Sequence, residues 1–401
     1  VRILMVAPLP FFQSRGAPFQ VYHRAKALGK LGHQIDLVTY AVGEDVDLPN
    51  VQIHRALPVP FVRQVKVGPS LAKFPLDTLL FLKTVEMLLR RRYDCIHTHL
   101  EAGFFGAVLS RPFRLPHVYD MHDDLAETLA SSKFTKNKAL IGMMRWVVKT
   151  TLRSARVIII VYPELQNTVD ALAPGKPTVM IHNTAVTADD AVDASEQAYN
   201  TAELLALRRS LGVPERAPLL LYTGTFEPYQ GLGELVRSMP AVLADYPDAH
   251  YLLVGGLPHQ IAEIADLARS LGVEQSLHLP GRRSHEEMPK FMAMADILLS
   301  PRSEGTNTPL KLFSYLDAGK AILASNIHSN TQILTPDVAL LVDPTSAALA
   351  EGAKTLLGDP ALCERLARNA QALAEQQFSY DTFITRTSEA YHLLAPQVSA
   401  V

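Results

Sequence analysis

Cysteine is nearly absent. Cys95 and Cys363 are the only two in 401 residues, too few for a disulfide framework and compatible with a reducing compartment. A basic excess is missing as well: 38 Lys and Arg face 40 Asp and Glu, a net charge of −2. That balance removes any global reason to expect nucleic acid as a partner. No uninterrupted apolar run approaches the 18 or so residues of a membrane span. The opening VRILMVAPLP carries one charge and a short apolar run closed by prolines, so it reads as a first strand and not as a signal peptide. What remains is the composition of a soluble, cytoplasmic globular protein, 48% hydrophobic and 19% charged, at a length that favours two domains.

Short apolar runs alternate with helical patterns from the start. RILMVAP is a strand, FQVYHRAKALGKLGH a helix ending at glycine, and QIDLVTY a second strand. This is a βαβ unit, which requires a parallel sheet covered by helices. YDCIHTH, PHVYDMH, RVIIIVY and TVMIHN continue the strand series, with helices between. Between about Thr184 and Pro218 strands stop and Ala, Asp and Glu accumulate, as in a linker with a lead-in helix. A second alternating series then begins at PLLLYTG. The predicted fold is α/β, with two Rossmann-like, doubly wound parallel-sheet domains facing across a cleft. Residues 1–185 form the first domain, rejoined by a C-terminal helix within 380–401; 186–216 form the linker and 217–379 the second domain. Ligands of such sheets bind beyond the carboxyl ends of the strands, so the loops after strands carry the functional candidates.

In the first half, Arg15 and Gly16 precede a helix; the glycine permits close approach to backbone, and a guanidinium can meet a phosphate or carboxylate bidentately. A turn-forming glycine explains Gly16 equally well. Asp120, His122, Asp123 and Asp124 end a strand. His122 there can donate to a sugar hydroxyl, act as acid or base, or ligate a metal, the alternative being a packed histidine beside a helix-capping aspartate. His97 and His99 share one strand face and make half a metal site, with no third ligand at recognisable spacing. Asp45-Val46-Asp47 has the Asp-x-Asp form of metal-dependent nucleotide-sugar enzymes but reads as a solvated turn.

In the second half, Gly224 and Gly231 flank a strand-to-helix loop, Gly255-Gly256 end the next strand, and Gly281-Arg282-Arg283 place positive charge after another. The segment SPRSEGTNTPLKLFSYLDAGKAILAS runs from a strand end through Glu304, Thr306, Asn307, Thr308, Pro309 and Leu310 to Lys311, one turn inside a helix. A helix start there suits an anion; an ordinary N-cap by Asn307 or Thr308 before Pro309 is the plainer account. Several weak anion-binding signals agree.

The order and spacing of LLYTGTFEPYQGL, HYLLVGG and LPGRRSHEEMPKFMAMADILLSPRSEGTNTPLKLFSYLDAGKAILAS resemble the nucleotide-binding domain of retaining glycosyltransferases of family 4, which have the GT-B fold. GAPFQVYHRAKALGKLGHQIDLVTY, YDCIHTH, HVYDMH and IHN match the first domain more loosely. The resemblance implies a nucleoside diphosphate on the second domain, its diphosphate at the Glu304–Lys311 loop. Of the family's Glu-x7-Glu pair, Glu304 would contact the donor sugar, with Thr306 at the strict spacing, and Ser314 would be a weaker ribose partner. Thr225 and Gln230 stand where the family commonly has Arg and Lys, so Lys311, Arg282, Arg283 and Arg15 are the substitute diphosphate cations. His122 would lie near the donor sugar, and Gly16 under the diphosphate or acceptor. Stabilisation of the leaving diphosphate would carry much of the catalysis, with no protein nucleophile, cofactor or metal. The donor would be a UDP-, GDP- or ADP-sugar.

Residues 133–156 hold seven Lys or Arg and no Asp or Glu, with Arg145, Lys149 and Arg153 in a helical stripe beside Trp146. Such a helix can lie on an anionic membrane, each basic residue contributing about 1 kcal/mol, or simply face water. Phe61–Phe74 is also basic and apolar. The expectation is a glycan or lipid-linked acceptor and peripheral contact with the inner membrane face. Two other readings stand beside transfer: a catalytically reduced homologue that binds nucleotide sugar or glycan, and a sugar-nucleotide epimerase or hydrolase.

Overall fold

The computed structural model describes residues 1–12, 16–60, 62, 65, 73–131, 137–184, 199–305 and 307–394. Arg15, Thr306, residues 133–136 of the basic stretch, most of 61–72, residues 185–198 of the linker and 395–401 lie outside them. The chain divides into two compact units, Val1–Asn183 with Asp381–Val401, and Thr184–Tyr380.

The first unit contains strands β1 (Arg2–Ala7), β2 (Gln34–Thr39), β3 (Val51–Arg55), β4 (Cys95–His99), β5 (His117–Met121), β6 (Val157–Ile160) and β7 (Thr178–Met180). They form one sheet in the order β3-β2-β1-β4-β5-β6-β7, and every pairing is parallel. β4, β5 and β6 are buried at every position, which is why they read as unbroken runs and not as alternating ones. β3, the edge strand, was not foreseen. Its residues are only partly buried, so VQIHR has neither the apolar run of a central strand nor a clean alternation. The helix Tyr380–His392 docks here: Arg24 donates to Thr387 Oγ1 at 2.6 Å and lies over the Phe383 ring at 4.6 Å.

The second unit contains β8 (Leu219–Gly224), β9 (His250–Gly255), β10 (Leu277–Gly281), β11 (Ile297–Ser300), β12 (Ala321–Ser325) and β13 (Leu340–Val342). Their order is β10-β9-β8-β11-β12-β13, again parallel throughout. One side of the sheet is packed by a cluster containing Phe291, Phe313, Tyr315 and Leu316, the other by one containing Leu235, Val236 and Met239. The helix Thr201–Ser210, within the 186–216 stretch, packs Leu204 and Leu207 against the first of these. Both sheets reverse direction next to their first strand, at β1/β4 and at β8/β11, where a doubly wound sheet opens a crevice. Among the described residues no helix is long and apolar enough to cross a membrane.

Candidate functional site

The β8/β11 crevice is held open by the strand pairing itself. β8 pairs with β9 along its whole length, from Leu219–His250 to Gly224–Gly255, but with β11 only at Leu220–Ile297 and Leu221–Leu298. Past Leu221 the strands part, and the Tyr315 hydroxyl takes the stranded Thr223 N–H at 2.9 Å. Burial pushes the Tyr315 hydroxyl up to about 12, so it remains a protonated, structural group. The loops beyond the two strands are tied together: Ser303 N–H donates to the Tyr229 carbonyl at 2.9 Å. Gly231, with φ +74°, allows this contact, since a Cβ there would sit 1.9 Å from the Pro301 carbonyl oxygen.

Two cations occupy the crevice. Arg302 donates to the Glu304 carbonyl and to the Asn307 carbonyl, both at 2.7 Å, and covers the Tyr229 ring at 5.1 Å. It therefore shapes the Glu304–Asn307 loop. Lys311 Nζ lies 3.8 Å from the centre of the Tyr222 ring, is itself buried although the stem is partly exposed, and has no hydrogen-bond partner among the described residues. Burial, and then the Arg302 charge, hold the Lys311 ammonium well below the usual lysine range. An unpaired buried ammonium is costly. A diphosphate would supply the missing charge and acceptors.

The plainer reading of the loop as a helix cap is not what forms. The helix Lys311–Asp317 has no side-chain cap; Thr308 Oγ1 bonds Gln332 Oε1 and the Pro309 carbonyl accepts from Leu312 N–H at 3.0 Å. At seven residues the helix adds little dipole, so the positive field comes from side chains. Glu304 is exposed at the loop, Leu310 packs toward the core, and Ser314 is buried at 8% exposure. Thr225 and Gln230 follow β8 with Gln230 Nε2 3.5 Å from Thr225 Oγ1, and Gln230 Oε1 is buried without a partner. The close approach at Gly255 serves the chain itself: a Cβ would meet the Gly224 carbonyl oxygen at 1.8 Å. Gly256 packs likewise on Phe226. Arg282 and Arg283 are exposed after edge strand β10, with β9 between them and β8; Arg283 pairs with Glu287 at 3.8 Å. Arg302, the cation sequence reasoning passed over, stood in plain view two residues before Glu304.

In the first unit Gly16 opens the helix Gly16–Lys30 with φ +37° and open space beside it. His122 is buried, its Nε2 3.0 Å from His99 Nδ1 and 3.4 Å from Asp120 Oδ1, its Nδ1 without a partner. Burial lowers the pKa of His97, His99 and His122, favouring their neutral forms. Burial alone would raise Asp120, but Arg24, at 2.9 Å, holds its carboxyl well below the usual carboxylate range. Asp124 is the helix cap, accepting from Ala126 N–H at 2.9 Å. Asp45 pairs with Arg55 at 2.6 Å, and Asp47 is exposed.

Residues 15–184 match the family described as glycosyl transferase 4-like domain, and residues 205–373 match glycosyl transferases group 1. Between them the two matches take in most of the chain. The chain belongs to the family 4, group 1 glycosyltransferases. The transferase is 24% identical to a phosphatidyl-myo-inositol mannosyltransferase of Mycobacterium leprae, over 100% of this chain and 99% of the relative. Its fold matches sucrose-phosphate synthase from Thermosynechococcus elongatus at a TM-score of 0.77 and 19% identity, each chain covered to 98%. It also matches Anabaena HepE, solved in complex with UDP, at a TM-score of 0.75 and 19% identity, over 98% of this chain and 100% of that one. These neighbours are GT-B glycosyltransferases, and the two parallel-sheet, Rossmann-like units are the GT-B fold.

Proposed function

We propose that this transferase moves a hexose from a nucleoside-diphosphate sugar to a hydroxyl of a glycan or lipid-linked acceptor, with retention of anomeric configuration. The observation that carries the reading is Lys311, whose buried amine has no partner among the described residues, beside Arg302 at the point where β8 and β11 part. The diphosphate binds there, and the two cations stabilise the charge that grows on it as the glycosidic bond breaks. They stand in for the Arg and Lys that Thr225 and Gln230 replace, so the reaction needs neither a metal at the diphosphate nor a protein nucleophile. Glu304 faces the donor sugar. The UDP complex of HepE supports a nucleotide donor, and the mannosyltransferase of M. leprae supports a lipid-linked acceptor.

Contact with the cytoplasmic membrane face belongs to the same reading. The helix Lys138–Ser154 buries Val148, Thr151 and Leu152 and exposes Met143, Arg145 and Trp146, an amphipathic element suited to an anionic surface. Flotation with phosphatidylglycerol vesicles is expected to carry the chain up the gradient; absence of binding would remove this part.

Turnover of UDP-, GDP- and ADP-sugars with and without acceptor, followed by NMR of the product anomer, tests the whole. Acceptor-dependent formation of a product with the donor's configuration is expected. Binding without turnover would favour the catalytically reduced homologue that Thr225 and Gln230 suggest. Conversion of donor without acceptor would favour an epimerase or hydrolase.

A further inference from the structure

β4 carries His97 and His99 two residues apart on one face, and the strand register sets Asp120 of β5 beside His99. The third partner that sequence spacing could not show is thus supplied by the neighbouring strand. His97 Nε2 and His99 Nδ1 lie 3.7 Å and 3.6 Å from Asp120 Oδ2, and His122 Nε2 lies 3.4 Å from Asp120 Oδ1 and 3.0 Å from His99 Nδ1. Ligand atoms of His97, His99 and Asp120 lie within 4.8 Å of one another. A tetrahedral ion with bonds of roughly 2.0–2.1 Å holds its ligand atoms about 3.3 Å apart, between the 3.0 Å from His99 Nδ1 to His122 Nε2 and the 3.4 Å from His122 Nε2 to Asp120 Oδ1. His97 Nε2 and Asp120 Oδ1 are buried with no hydrogen-bond partner among the described residues, and one cation would satisfy both.

We infer that this cluster is a transition-metal site, with His97, His99 and Asp120 as ligands and His122 in the fourth position. Three imidazoles and one carboxylate suit zinc or cobalt over magnesium or calcium. The outer partners of such a site are present: His97 Nδ1 is 2.7 Å from the Tyr391 hydroxyl, and Arg24 donates to Asp120 Oδ2, leaving Oδ1 open. Arg24 also opposes a divalent charge, so the site binds more weakly than one without a neighbouring cation. Because Tyr391 belongs to the helix Tyr380–His392, the ion would clamp that helix to the ends of β4 and β5, a structural role separate from the donor site in the second unit.

The test is titration of the chelator-stripped full-length chain with Co(II), followed by Zn(II). One Co(II) per chain is expected, with the visible absorption of a four-coordinate ion that Zn(II) then bleaches. Tyr391→Phe keeps all four ligand atoms and is expected to bind about 10–100-fold more weakly, while His99→Gln loses the visible band. A wild-type chain that takes up neither ion overturns the inference. So does wild-type affinity in both variants, which would place the metal elsewhere. If His99→Gln does not fold, wild-type uptake together with the Tyr391→Phe affinity decides the matter.

Discussion

The two units share a topology and use its switch point in opposite ways. Near the β1/β4 reversal the strand ends carry a buried cluster in which the Asp120 charge is paired by Arg24, His99 meets His122, and the returning helix adds Tyr391 and Thr387. At the β8/β11 reversal the strands part, two loops are stitched into a cradle, and Lys311 is left with an aromatic face and no acceptor. Charge satisfied within the chain holds a fold together; charge left unsatisfied at a crevice is an invitation to a ligand.

The largest expected effect comes from breaking the unsatisfied side. Lys311→Met keeps the volume and removes the charge, and turnover should fall about 10²–10³-fold. Thermal stability should hold or rise, because no pair is broken; initial rates and melting curves of the same preparation check both.

The second prediction concerns the closed side. His117, whose Nε2 is 2.7 Å from Thr98 Oγ1, is lowered to about 3 by burial, against about 6.5 unfolded. Below pH about 6.5 the unfolded chain takes up the proton that the folded one refuses. Stability is therefore full above that pH and lost as pH falls toward 3, at up to about 1.4 kcal/mol per pH unit. Hydrogen exchange at stepped pH should show β4 and β5 opening before β8 and β9; simultaneous opening would contradict the contrast.

Arg302→Ala removes two carbonyl contacts and the stacking on Tyr229. Charged hydrogen bonds of this kind are worth about 1.5–3 kcal/mol, so donor KM should rise at least about tenfold. Arg302→Lys should recover little, lacking the planar fork. The smallest effect is that of Tyr315→Phe, which leaves the Thr223 N–H unpaired. A loss of about 1–2 kcal/mol in urea unfolding is expected, with the m-value unchanged.

Most of the architecture could be read from the residues because the central strands are buried on both faces and announce themselves as apolar runs such as RVIIIVY and DILLSP. β3 escaped because an edge strand has no such run. The site was legible in part. Lys311 stood out because it follows a loop whose composition is unusual. Arg302 was missed because its work is done through backbone carbonyls, which leave no trace in residue type. That Arg282 and Arg283 follow an edge strand could not be read, because sequence gives the order of strands and not their neighbours; β10 lies at the sheet edge. The partners of His97 and His99 come from β5 and from a helix almost 300 residues later, a distance that no local spacing encodes.

Calorimetric titration with UDP, GDP and ADP in two buffers of different ionisation enthalpy tests the central claim most directly. Burial and the Arg302 charge disfavour the charged form of free Lys311, and a bound diphosphate would favour it. One nucleotide should therefore bind with net proton uptake, its affinity falling as pH rises, and Lys311→Met should abolish the uptake and weaken binding. Diphosphate binding of equal strength in the wild type and in Lys311→Met, with no proton exchanged in either, would contradict the account.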